Sequence, residues 1–464
     1  MLREQQLLDV LSVALERGAD FAELYFEDKE ELSIKSAKGT IHNVTTTTIS
    51  GVGIYILSGT KKVYLHTSDR SFENLIEMAE KASFMLESEK AEATSPMPFK
   101  KRDIIVSPNQ VQIYPSTMDH MKKIAVVKEV YRAADESSDY IRQLNVDYFD
   151  TDQRVRIVNS DGLDTTDRRV TSRIRIQVTM DNGHVSIFDW DDYVKPNGFE
   201  AFMQDGEHLQ FAKKYITNVE ASLYAKSPPS GIYPVVFEKG TCGTFWHEAC
   251  GHQLEAPAIF GNRSDFSGKI GEQVASSKVT LIDDGTLPNL YGSTAIDDEG
   301  TPTQRNVLIE NGILKTYLCD RLGGRRLNMS SSGSGRRQGY MYAPVARMNN
   351  TFLAVGNDDD DEMIRTIDEG VYVKSLGGGN SGREFSIEVK EGYWIKNGEI
   401  TYRIKGLVLN DRGIELIKKI DRVGSQIETE YGSFCGAASG LCPVTSFQPR
   451  MRVTEMSIGG ENHD

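Results

Sequence analysis

The sequence predicts an α+β protein of two domains: an antiparallel sheet with packed helices in residues 1–226, and a mostly-β domain in residues 227–464 that carries one short functional helix. Three observations predict this architecture. Helical stripes and alternating strands follow one another in the first half, two adjacent prolines interrupt the pattern near residue 228, and the second half is dominated by strand-like segments. A chain of 464 residues has room for two or three domains of ~100–200 residues each.

The first half alternates helices with short strands. Leu7, Val10, Leu11 and Leu15 form an apolar helical stripe that ends before Gly18. Alternating segments at 24–27, 32–35 and 51–57 predict strands, and residues 71–86 again have helical spacing. A second helix-like segment from residue 121 to 130 precedes strand-like segments at 141–147, 155–158 and 170–180. The segment that begins near residue 121 is therefore predicted to repeat, weakly, the arrangement of helices and strands of the segment before it.

A break between the two domains is predicted at residues 226–231. Pro228, Pro229 and Gly231 interrupt both the helical and the strand period within this stretch. We therefore place the junction after Lys226.

Strands dominate the second half. Segments at 234–237, 279–282, 307–314, 387–389 and 393–400 are β-like, and two of them contain an Asn-Gly pair that is typical of a tight hairpin turn. The acidic run at 358–362 directly precedes a helical segment at 363–367. Because a helix N-terminus favours carboxylates through capping and the helix dipole, we interpret this run as structural.

Composition excludes several classes of function. Lys plus Arg is 53 and Asp plus Glu is 67, so the net charge of −14 disfavours direct binding to nucleic acid or to anionic membranes. No apolar run approaches the ~18–20 residues of a membrane span, and charges interrupt the first helix, which argues against a signal peptide. The five cysteines are odd in number and all lie in the second half, which does not match a disulfide framework. We expect a cytoplasmic protein.

The strongest chemical signal is the string His247-Glu248-Ala249-Cys250-Gly251-His252. Two neutral imidazoles with a glutamate beside the first are typical of a metallopeptidase helix, in which the histidines hold Zn²⁺ and the carboxylate takes a proton from the activated water. The string therefore makes His247 and His252 candidate metal ligands and Glu248 a candidate general base.

The spacing of the two histidines is unusual. At ~100° per residue, positions i and i+5 lie about 140° apart on a regular α-helix and cannot share a metal. A π-bulge, or unwinding of the helix at Gly251, would bring His252 onto the face of His247, and glycine tolerates either distortion. The alternative is that the two imidazoles only form hydrogen bonds in a core or at the surface.

A catalytic zinc usually has three protein ligands and a water, so one ligand is missing from the string. Three residues are candidates: Cys250 lies three positions after His247, Cys435 lies in a flexible glycine-containing segment far along the chain, and Glu255 is close by. Spacing alone does not choose among them, and an unpaired buried cysteine is usually a small hydrophobic residue.

Two glycine-containing stretches are candidates for contact with a substrate. Residues 330–339 include Arg336 and Arg337, whose guanidinium groups could hold a peptide's carboxylate or carbonyl groups. Residues 376–382 include Gly378 and Gly379, which permit close approach of another backbone. Each stretch could equally be a plain loop. No Gly-x-Ser-x-Gly string is present, so nothing supports a serine hydrolase.

Several long motifs in the same order closely resemble the TldD/PmbA family, whose proteins have also been labelled modulators of DNA gyrase. The motifs lie at 246–252, 267–276, 295–302, 335–337, 377–379, 435–436, 443–444 and 458–460. They cover essentially the whole second domain, and the first domain is consistent with the resemblance.

The resemblance implies a TldD-type zinc peptidase in which His247, His252 and Cys435 hold the metal and Glu248 is the general base. It further implies a two-domain protomer that dimerises around an enclosed cavity, as a homodimer or as a heterodimer with a PmbA-like (TldE) paralogue. Such a cavity would admit only short or unfolded peptides. Cys442 departs from the family pattern, and an oxidised pair with Cys435, seven residues away, would abolish metal binding.

The predicted function is therefore that of a zinc-dependent peptidase acting on short or unfolded peptides. The alternative is a peptide-binding or scaffold protein of the same family that does not cut, of the gyrase-modulator type. A closed site with four protein ligands, for example with Cys250 added, would favour the alternative, and an open coordination position would favour the enzyme.

Overall fold

The computed structural model describes residues 2–86, 94–100, 106–203, 205–429 and 432–459, and it confirms the predicted α+β fold. None of the helices in these ranges has the length and apolar character that crossing a membrane requires. The elements of the N-terminal part are α1 (Glu4–Leu15), β1 (Phe21–Ala37), β2 (Thr40–Ser58), β3 (Lys61–Thr67), α2 (Phe72–Met85), α3 (His120–Asp135), β4 (Ile141–Asn159), β5 (Asp164–Asp181), β6 (Ser186–Lys195) and α4 (Glu207–Ser222).

These six strands form one antiparallel sheet in the order β3-β2-β1-β4-β5-β6. Each half of the sheet is a three-stranded meander flanked by two helices, so the topology confirms the predicted repeat of helices and strands. Strand β6 and helix α4, which complete the second repeat, were not predicted.

The two faces of this sheet have different partners because side chains alternate along a strand. Leu24, Leu32 and Ile34 of β1 point to one face, where they pack in apolar clusters with the four helices. Glu23 and Glu27, on the opposite face of the same strand, bind residues of the C-terminal part. The sheet therefore carries its helices on one side and the C-terminal part of the chain on the other.

The C-terminal part consists mainly of short strands, as predicted. Its elements are β7 (Gly231–Phe237), α5 (Thr244–Trp246), α6 (Ala256–Phe260), β8 (Leu281–Asp284), β9 (Arg305–Glu310), β10 (Ile313–Leu314), α7 (Arg321–Leu327), β11 (Gly335–Arg336), β12 (Val345–Ala346), β13 (Asn350–Leu353), α8 (Asp360–Arg365), β14 (Glu369–Asn380), β15 (Glu384–Lys396), β16 (Glu399–Ile404), β17 (Val408–Arg412), α9 (Gly413–Leu416), β18 (Ile420–Ile427), β19 (Ser433–Ala437), β20 (Gly440–Phe447) and β21 (Pro449–Ile458).

Two sheets enclose the core of this part. One has the order β16-β15-β14-β7-β21-β18, with β17 paired to β15, and the other has the order β10-β9-β8-β13-β20-β19. A single apolar cluster contains residues of both sheets together with Phe245, Trp246 and Leu254. The helical segment that carries the His-Glu string is therefore anchored in the core, with apolar residues on either side of the two histidines.

Two local predictions for this part are confirmed. Asn311-Gly312 joins β9 to β10 and Asn397-Gly398 joins β15 to β16, each with both residues at positive φ, as a tight hairpin turn requires. At the acidic run, the Asp359 side chain accepts hydrogen bonds from the backbone N–H groups of the two residues at positions 361 and 362 and caps α8.

The predicted junction at residues 226–231 separates the two sets of strands in the chain: the strands of the six-stranded sheet precede it, and those of the C-terminal sheets follow it. The assignment of domains as 1–226 and 227–464 stays a prediction. Buried ion pairs join the two parts, since Arg337 Nη2 lies 2.7 Å from Glu23 Oε1 and both side chains are fully buried. Arg169 of β5 likewise pairs with Asp298.

Candidate metal centre

The helical segment that follows β7 changes its winding at the predicted string. A 3₁₀ turn at Thr241–Gly243 and the short α5 lead into a π-helical turn at His247–Gly251, and a second 3₁₀ turn spans His252–Leu254. The backbone N–H of His252 donates to the carbonyl oxygen of His247, five residues earlier, which is the hydrogen bond that defines a π-turn. Of the two distortions that the sequence allowed, the structure shows the π-turn.

Glycines allow this turn to pack closely on both sides. A Cβ atom at Gly251 would lie 2.1 Å from Met348 Sδ, and a Cβ atom at Gly413 of α9 would lie 1.9 Å from the carbonyl oxygen of Ala249. A side chain at Gly413 would displace the turn, because it would clash with backbone, whereas a side chain at Gly251 would force the Met348 side chain to move.

Both histidines of the π-turn converge on one cysteine of the β19–β20 hairpin. The distances from His247 Nε2 and from His252 Nε2 to Cys435 Sγ are each 3.1 Å. One ligand atom from each of the three residues lies within 4.8 Å of the others. Because the segments are far apart in the chain, only the tertiary fold brings this set together.

The donor set fits zinc. Two imidazole nitrogens and one thiolate sulfur are the borderline and soft donors that Zn²⁺ prefers, and three protein ligands leave a position open, as in catalytic zinc sites. Burial opposes ionisation of the Cys435 thiol, but the adjacent imidazoles of His247 and His252 outweigh it and lower the pKa of Cys435 to about 5. The site therefore holds the sulfur in the thiolate form that binds metals.

The structure separates the three candidates for the third ligand. Cys435 faces the two imidazoles, whereas Cys250 is fully buried in the apolar core, where burial raises its pKa. Glu255 lies behind one imidazole: its Oε2 atom is 3.0 Å from His252 Nδ1. A carboxylate in this position fixes the orientation and tautomer of a ligand histidine without binding the metal itself.

The surroundings of Glu255 keep it ionised. Burial would raise its pKa, but His252 and the guanidinium of Arg347 lower it overall. Its second oxygen, Oε1, accepts a hydrogen bond from the backbone N–H of Met348 at 3.2 Å. The other candidate ligand, His247, has no carboxylate at its second ring nitrogen: its Nδ1 atom makes a long contact of 3.5 Å with Ser446 Oγ.

Arg347 is the functional residue that sequence reasoning missed. Its side chain is 1% exposed; Nη2 donates to the carbonyl oxygen of Cys435 at 2.6 Å, and Nη1 donates to that of Gly440 at 3.0 Å. Arg347 therefore clamps both strands of the hairpin that presents the sulfur ligand. No spacing or motif distinguishes it from the other arginines of the sequence, so no signal in the sequence could have identified it.

Glu248 lies beside the three ligands and is half buried. Burial raises its pKa, and the neighbouring His247 and His252 counteract part of that shift. The side chain packs on Gly379 of β14, where a Cβ atom would lie 2.8 Å from Glu248 Cγ. The glycine predicted to allow close approach of a backbone thus makes room for the candidate base.

The glycine stretch of β14 also leaves part of its backbone without a strand partner. β14 pairs with β7 only through Val371–Val373, and on its other side its register with β15 is irregular between Val373 and Gly379. Among the described residues, no strand pairs with residues 377–380 on the side away from β15, and Gly378 is exposed. The edge of this segment that faces away from β15 therefore has no strand partner among the described residues, and the segment lies next to Glu248.

Arg336 and Arg337 are buried and bonded to groups of the protein. Arg336 donates to the carbonyl oxygen of Met348, and Arg337 donates to Glu23 and to the carbonyl oxygen of Asp298. Both line a cavity of about 450 Å³ between the N-terminal sheet and the β19–β20 hairpin. Their predicted contact with a substrate stays a prediction.

Models of one protein family match most of the chain. They describe PmbA/TldA metallopeptidase domain 1 at residues 22–86, the central domain at 113–216 and the C-terminal domain at 230–460. A Haemophilus influenzae protein named Metalloprotease TldD homolog is 32% identical over 99% of this chain and 97% of its own length. A Saccharolobus solfataricus protein named Zinc metalloprotease TldD homolog is 28% identical over 56% of this chain and 58% of its own length.

Solved structures show the same fold. A Thermotoga maritima protein described as a modulator of a DNA gyrase has a TM-score of 0.76 at 22% identity, covering 98% of this chain and all of that one. TldE from Thermococcus kodakarensis has a TM-score of 0.75 at 17% identity, covering 98% of this chain and 99% of that one. Together with the matched domains and the full-length relative, these findings show that the chain belongs to the PmbA/TldD metallopeptidase family.

Proposed function

We propose that this protein is a zinc-dependent peptidase that hydrolyses short or unfolded peptides. One observation carries the proposal: two imidazoles and a thiolate converge on one point with a half-buried carboxylate beside them. The names of the relatives as metalloproteases support the same reaction class.

His247, His252 and Cys435 would hold the zinc ion, with Glu255 orienting His252 and Arg347 holding the hairpin of Cys435. When bound, the metal supplies a Lewis acid for the scissile carbonyl and lowers the pKa of water.

Glu248 is proposed as the general base. Its carboxylate accepts a proton from the attacking water and passes it to the amine that leaves. The raised pKa of the half-buried side chain suits both steps, because a base whose pKa lies closer to the working pH both accepts and returns a proton readily. The Glu248 side chain packs on Gly379, and this contact limits where the carboxylate can lie.

The substrate is proposed to bind as an extended strand along residues 377–380 of β14. The unpaired backbone groups of this stretch would hydrogen-bond to the peptide main chain, and the missing side chains would let the two backbones approach closely. Binding through the main chain requires a segment that is not already folded, so this mode of binding would select short or unfolded peptides.

The working assembly is proposed to be a cytoplasmic dimer that encloses the site, either a homodimer or a heterodimer with a PmbA-like (TldE) paralogue. The family relationship supports this proposal, and TldE from T. kodakarensis shares the fold of this chain over nearly its whole length. An enclosed site would exclude folded proteins from the carboxylate and the metal.

Zinc content by elemental analysis and cleavage of an unfolded peptide, with and without a TldE-like partner, test the proposal on three proteins. We expect about one zinc per chain and cleavage in the wild type, and retained zinc with about 10²–10⁴-fold slower cleavage in Glu248→Gln. Cys435→Ser is expected to lose both. Zinc retained in Cys435→Ser would refute the ligand assignment. A zinc-loaded wild type that binds peptide but does not cut it, even with the partner present, would favour the scaffold alternative.

A further inference from the structure

The β19–β20 hairpin places a second cysteine directly opposite the proposed sulfur ligand. In the antiparallel register of the hairpin, Cys435 pairs with Cys442. Opposite residues of antiparallel strands point to the same face, with Cα atoms about 4.5–5.5 Å apart. Disulfide bonds span Cα distances of about 4.4–6.8 Å, so the backbone of the hairpin already lies within the range that a disulfide requires.

Both thiols are buried on the face of the hairpin that meets the metal centre. Cys435 is 6% exposed and Cys442 is 1% exposed. The sulfur of Cys435 contacts the two imidazoles, and the sulfur of Cys442 lies 3.9 Å from Nη1 of Arg347, which also clamps the hairpin. The same face therefore offers Cys435 two alternative partners, a metal held with the histidines or the neighbouring thiol.

The remaining cysteines do not share this arrangement. Cys242, Cys250 and Cys319 are buried, and none of them lies opposite another cysteine in a strand pair of the described residues. The pairing is thus a specific property of the hairpin.

We propose that Cys435 and Cys442 form a reversible disulfide that removes the sulfur ligand and thereby releases the metal. The site is then switched off under oxidising conditions and restored by thiols. The inference rests on the proposed function only through the role of Cys435 as a metal ligand, and it does not depend on peptide cleavage.

The oxidant is a small disulfide such as glutathione disulfide, and the exchange is balanced. The Cys435 sulfur attacks one sulfur of the small disulfide and forms a mixed disulfide, while the other half leaves as a thiol. Cys442 then attacks the Cys435 sulfur and releases the second thiol. In the net reaction one S–S bond breaks and one forms. The first half of the small disulfide leaves as a thiolate that takes a proton from water, and the second half takes the proton of Cys442. Cys435 can then no longer donate to the metal.

Two properties of the hairpin favour reduction of the Cys435–Cys442 disulfide back to two thiols. The covalent loop from Cys435 to Cys442 is short, so the disulfide gains less from restricting the unfolded chain than a long-range bond does. Metal and disulfide also compete for one sulfur. By linkage, any preference of the metal for the reduced protein is matched by an equal resistance of the metal-bound protein to oxidation.

The test treats metal-free and zinc-loaded wild type with glutathione disulfide and measures intact mass, the crosslinked peptide and zinc content. We expect the metal-free protein to lose two hydrogen atoms through a Cys435–Cys442 bond and to bind zinc at least about tenfold more weakly, with recovery after dithiothreitol. We expect the zinc-loaded protein to react more slowly. Failure of the metal-free wild type to form this bond, or full zinc affinity in the crosslinked protein, overturns the proposal.

Two variants complete the design. Cys442→Ser keeps all three proposed ligands, so we expect wild-type zinc affinity before oxidation and no internal crosslink afterwards, only glutathione attached at Cys435. Cys319→Ser removes another buried thiol and should crosslink as the wild type does. Crosslinking and zinc release without any peptide cleavage would reject the proposed function alone, whereas cleavage and zinc binding without crosslinking would reject this inference alone.

Discussion

At the scale of single residues, the position of Glu248 depends on the absence of a side chain across from it. A Cβ atom at Gly379 would be 2.8 Å from Glu248 Cγ and 2.9 Å from the carbonyl oxygen of Ser386. The backbone oxygen cannot move without disturbing the β14–β15 pairing, so the carboxylate is the group that would be displaced.

Gly379→Ala is therefore expected to slow peptide cleavage by about tenfold or more while zinc content stays at the wild-type level, because a small misplacement of a catalytic group costs up to ~10²-fold in rate. Rates of peptide cleavage and zinc analysis measure the two effects. Gly459→Ala is the matched control, since no atom lies within 4 Å of its added Cβ and the residue lies outside the proposed substrate-binding strand. Equal activity of the two variants would show that Gly379 does not position the base.

Glu255 acts on the metal through His252. Glu255→Gln keeps the shape of the side chain but removes the negative charge that holds the Nδ1 proton of the imidazole, so we expect zinc affinity to fall by about 10–100-fold. Competition with a chelator of known affinity measures the change. The same substitution at exposed Glu16, which lies at the end of α1, should leave zinc affinity unchanged. An unchanged affinity in Glu255→Gln would mean that His252 needs no carboxylate to orient it.

The candidate site could be predicted only partly from the sequence. The string at 247–252 identified both histidines and Glu248 because the chemistry lies within six positions. Spacing left the sulfur ligand among alternatives, and only the resemblance implied Cys435, since the contact joins residues 188 positions apart. The roles of Glu255 and Arg347 arise from three-dimensional neighbours, which no local pattern encodes.

At the scale of elements, the π-turn is held by the start of α9. A Cβ atom at Gly413 would lie only 1.9 Å from the carbonyl oxygen of Ala249. The π-turn and α9 contact each other through their backbones, so a clash between them cannot be relieved by rotating a side chain. The geometry of the two histidines therefore depends on a glycine more than 160 positions away from them in the chain.

Gly413→Ala is expected to lower the free energy of unfolding by about 1–3 kcal/mol, as overpacking of a core does, and to weaken zinc binding by moving the turn. Urea denaturation of the metal-free protein and chelator competition measure the two effects. Gly459→Ala, whose added Cβ meets no atom within 4 Å, should behave as the wild type. Normal zinc affinity in Gly413→Ala would show that the π-turn tolerates displacement.

Some elements followed from local patterns, and others did not, among them β6 and α4. Apolar stripes predicted α1, α2 and α3, and Asn-Gly pairs predicted two hairpins, because each signal is contained within one element. β6 was not predicted. It is an edge strand that carries three aspartates and exposes Phe188 and Trp190. Its apolar residues are therefore not the buried ones, so the sequence pattern does not indicate a half-buried strand. α4 was not predicted either, because its charged and polar residues outnumber the apolar residues that it buries.

At the scale of the whole molecule, acidic groups are buried where the N-terminal sheet meets the C-terminal part and inside the C-terminal part. Burial raises the pKa of Asp297 to about 7, against the backbone N–H groups of Thr301, Gly335 and Glu299, which lower it. Burial likewise raises the pKa of Asp283 to about 6. The folded protein therefore keeps protons that the unfolded chain releases near pH 4.

This difference sets the sign of a pH effect on stability. Between pH about 4 and about 7 unfolding releases protons, so this contribution to stability is largest at the acidic end and falls as the pH rises. From the pKa of Asp297 alone, we expect the free energy of unfolding to fall by about 1.4 kcal/mol between pH 6 and pH 8. Urea denaturation of metal-free wild type measures it, and Asp297→Asn should flatten the dependence. An equally steep dependence in that variant would contradict the assignment.

The contact between the N-terminal sheet and the C-terminal part could not be derived from the sequence. The sequence offers Arg337 only as a guanidinium group that could hold a peptide, and nothing in it indicates the pairing with Glu23, 314 positions earlier. Fold class and strand content are set by local periodicity, which the sequence displays, whereas the face on which one domain meets the other depends on pairs of buried charges that are widely separated in the chain.

The distance along the chain between the π-turn and the hairpin gives metal content a diagnostic meaning. Because an unfolded chain cannot keep two segments 188 positions apart in contact, one zinc ion bound by the three proposed ligands would require that the π-turn and the β19–β20 hairpin have come together. Zinc analysis thus doubles as an assay of folding quality: a preparation, a variant or a truncated form that has lost long-range order would reveal it as substoichiometric metal, before any substrate is known.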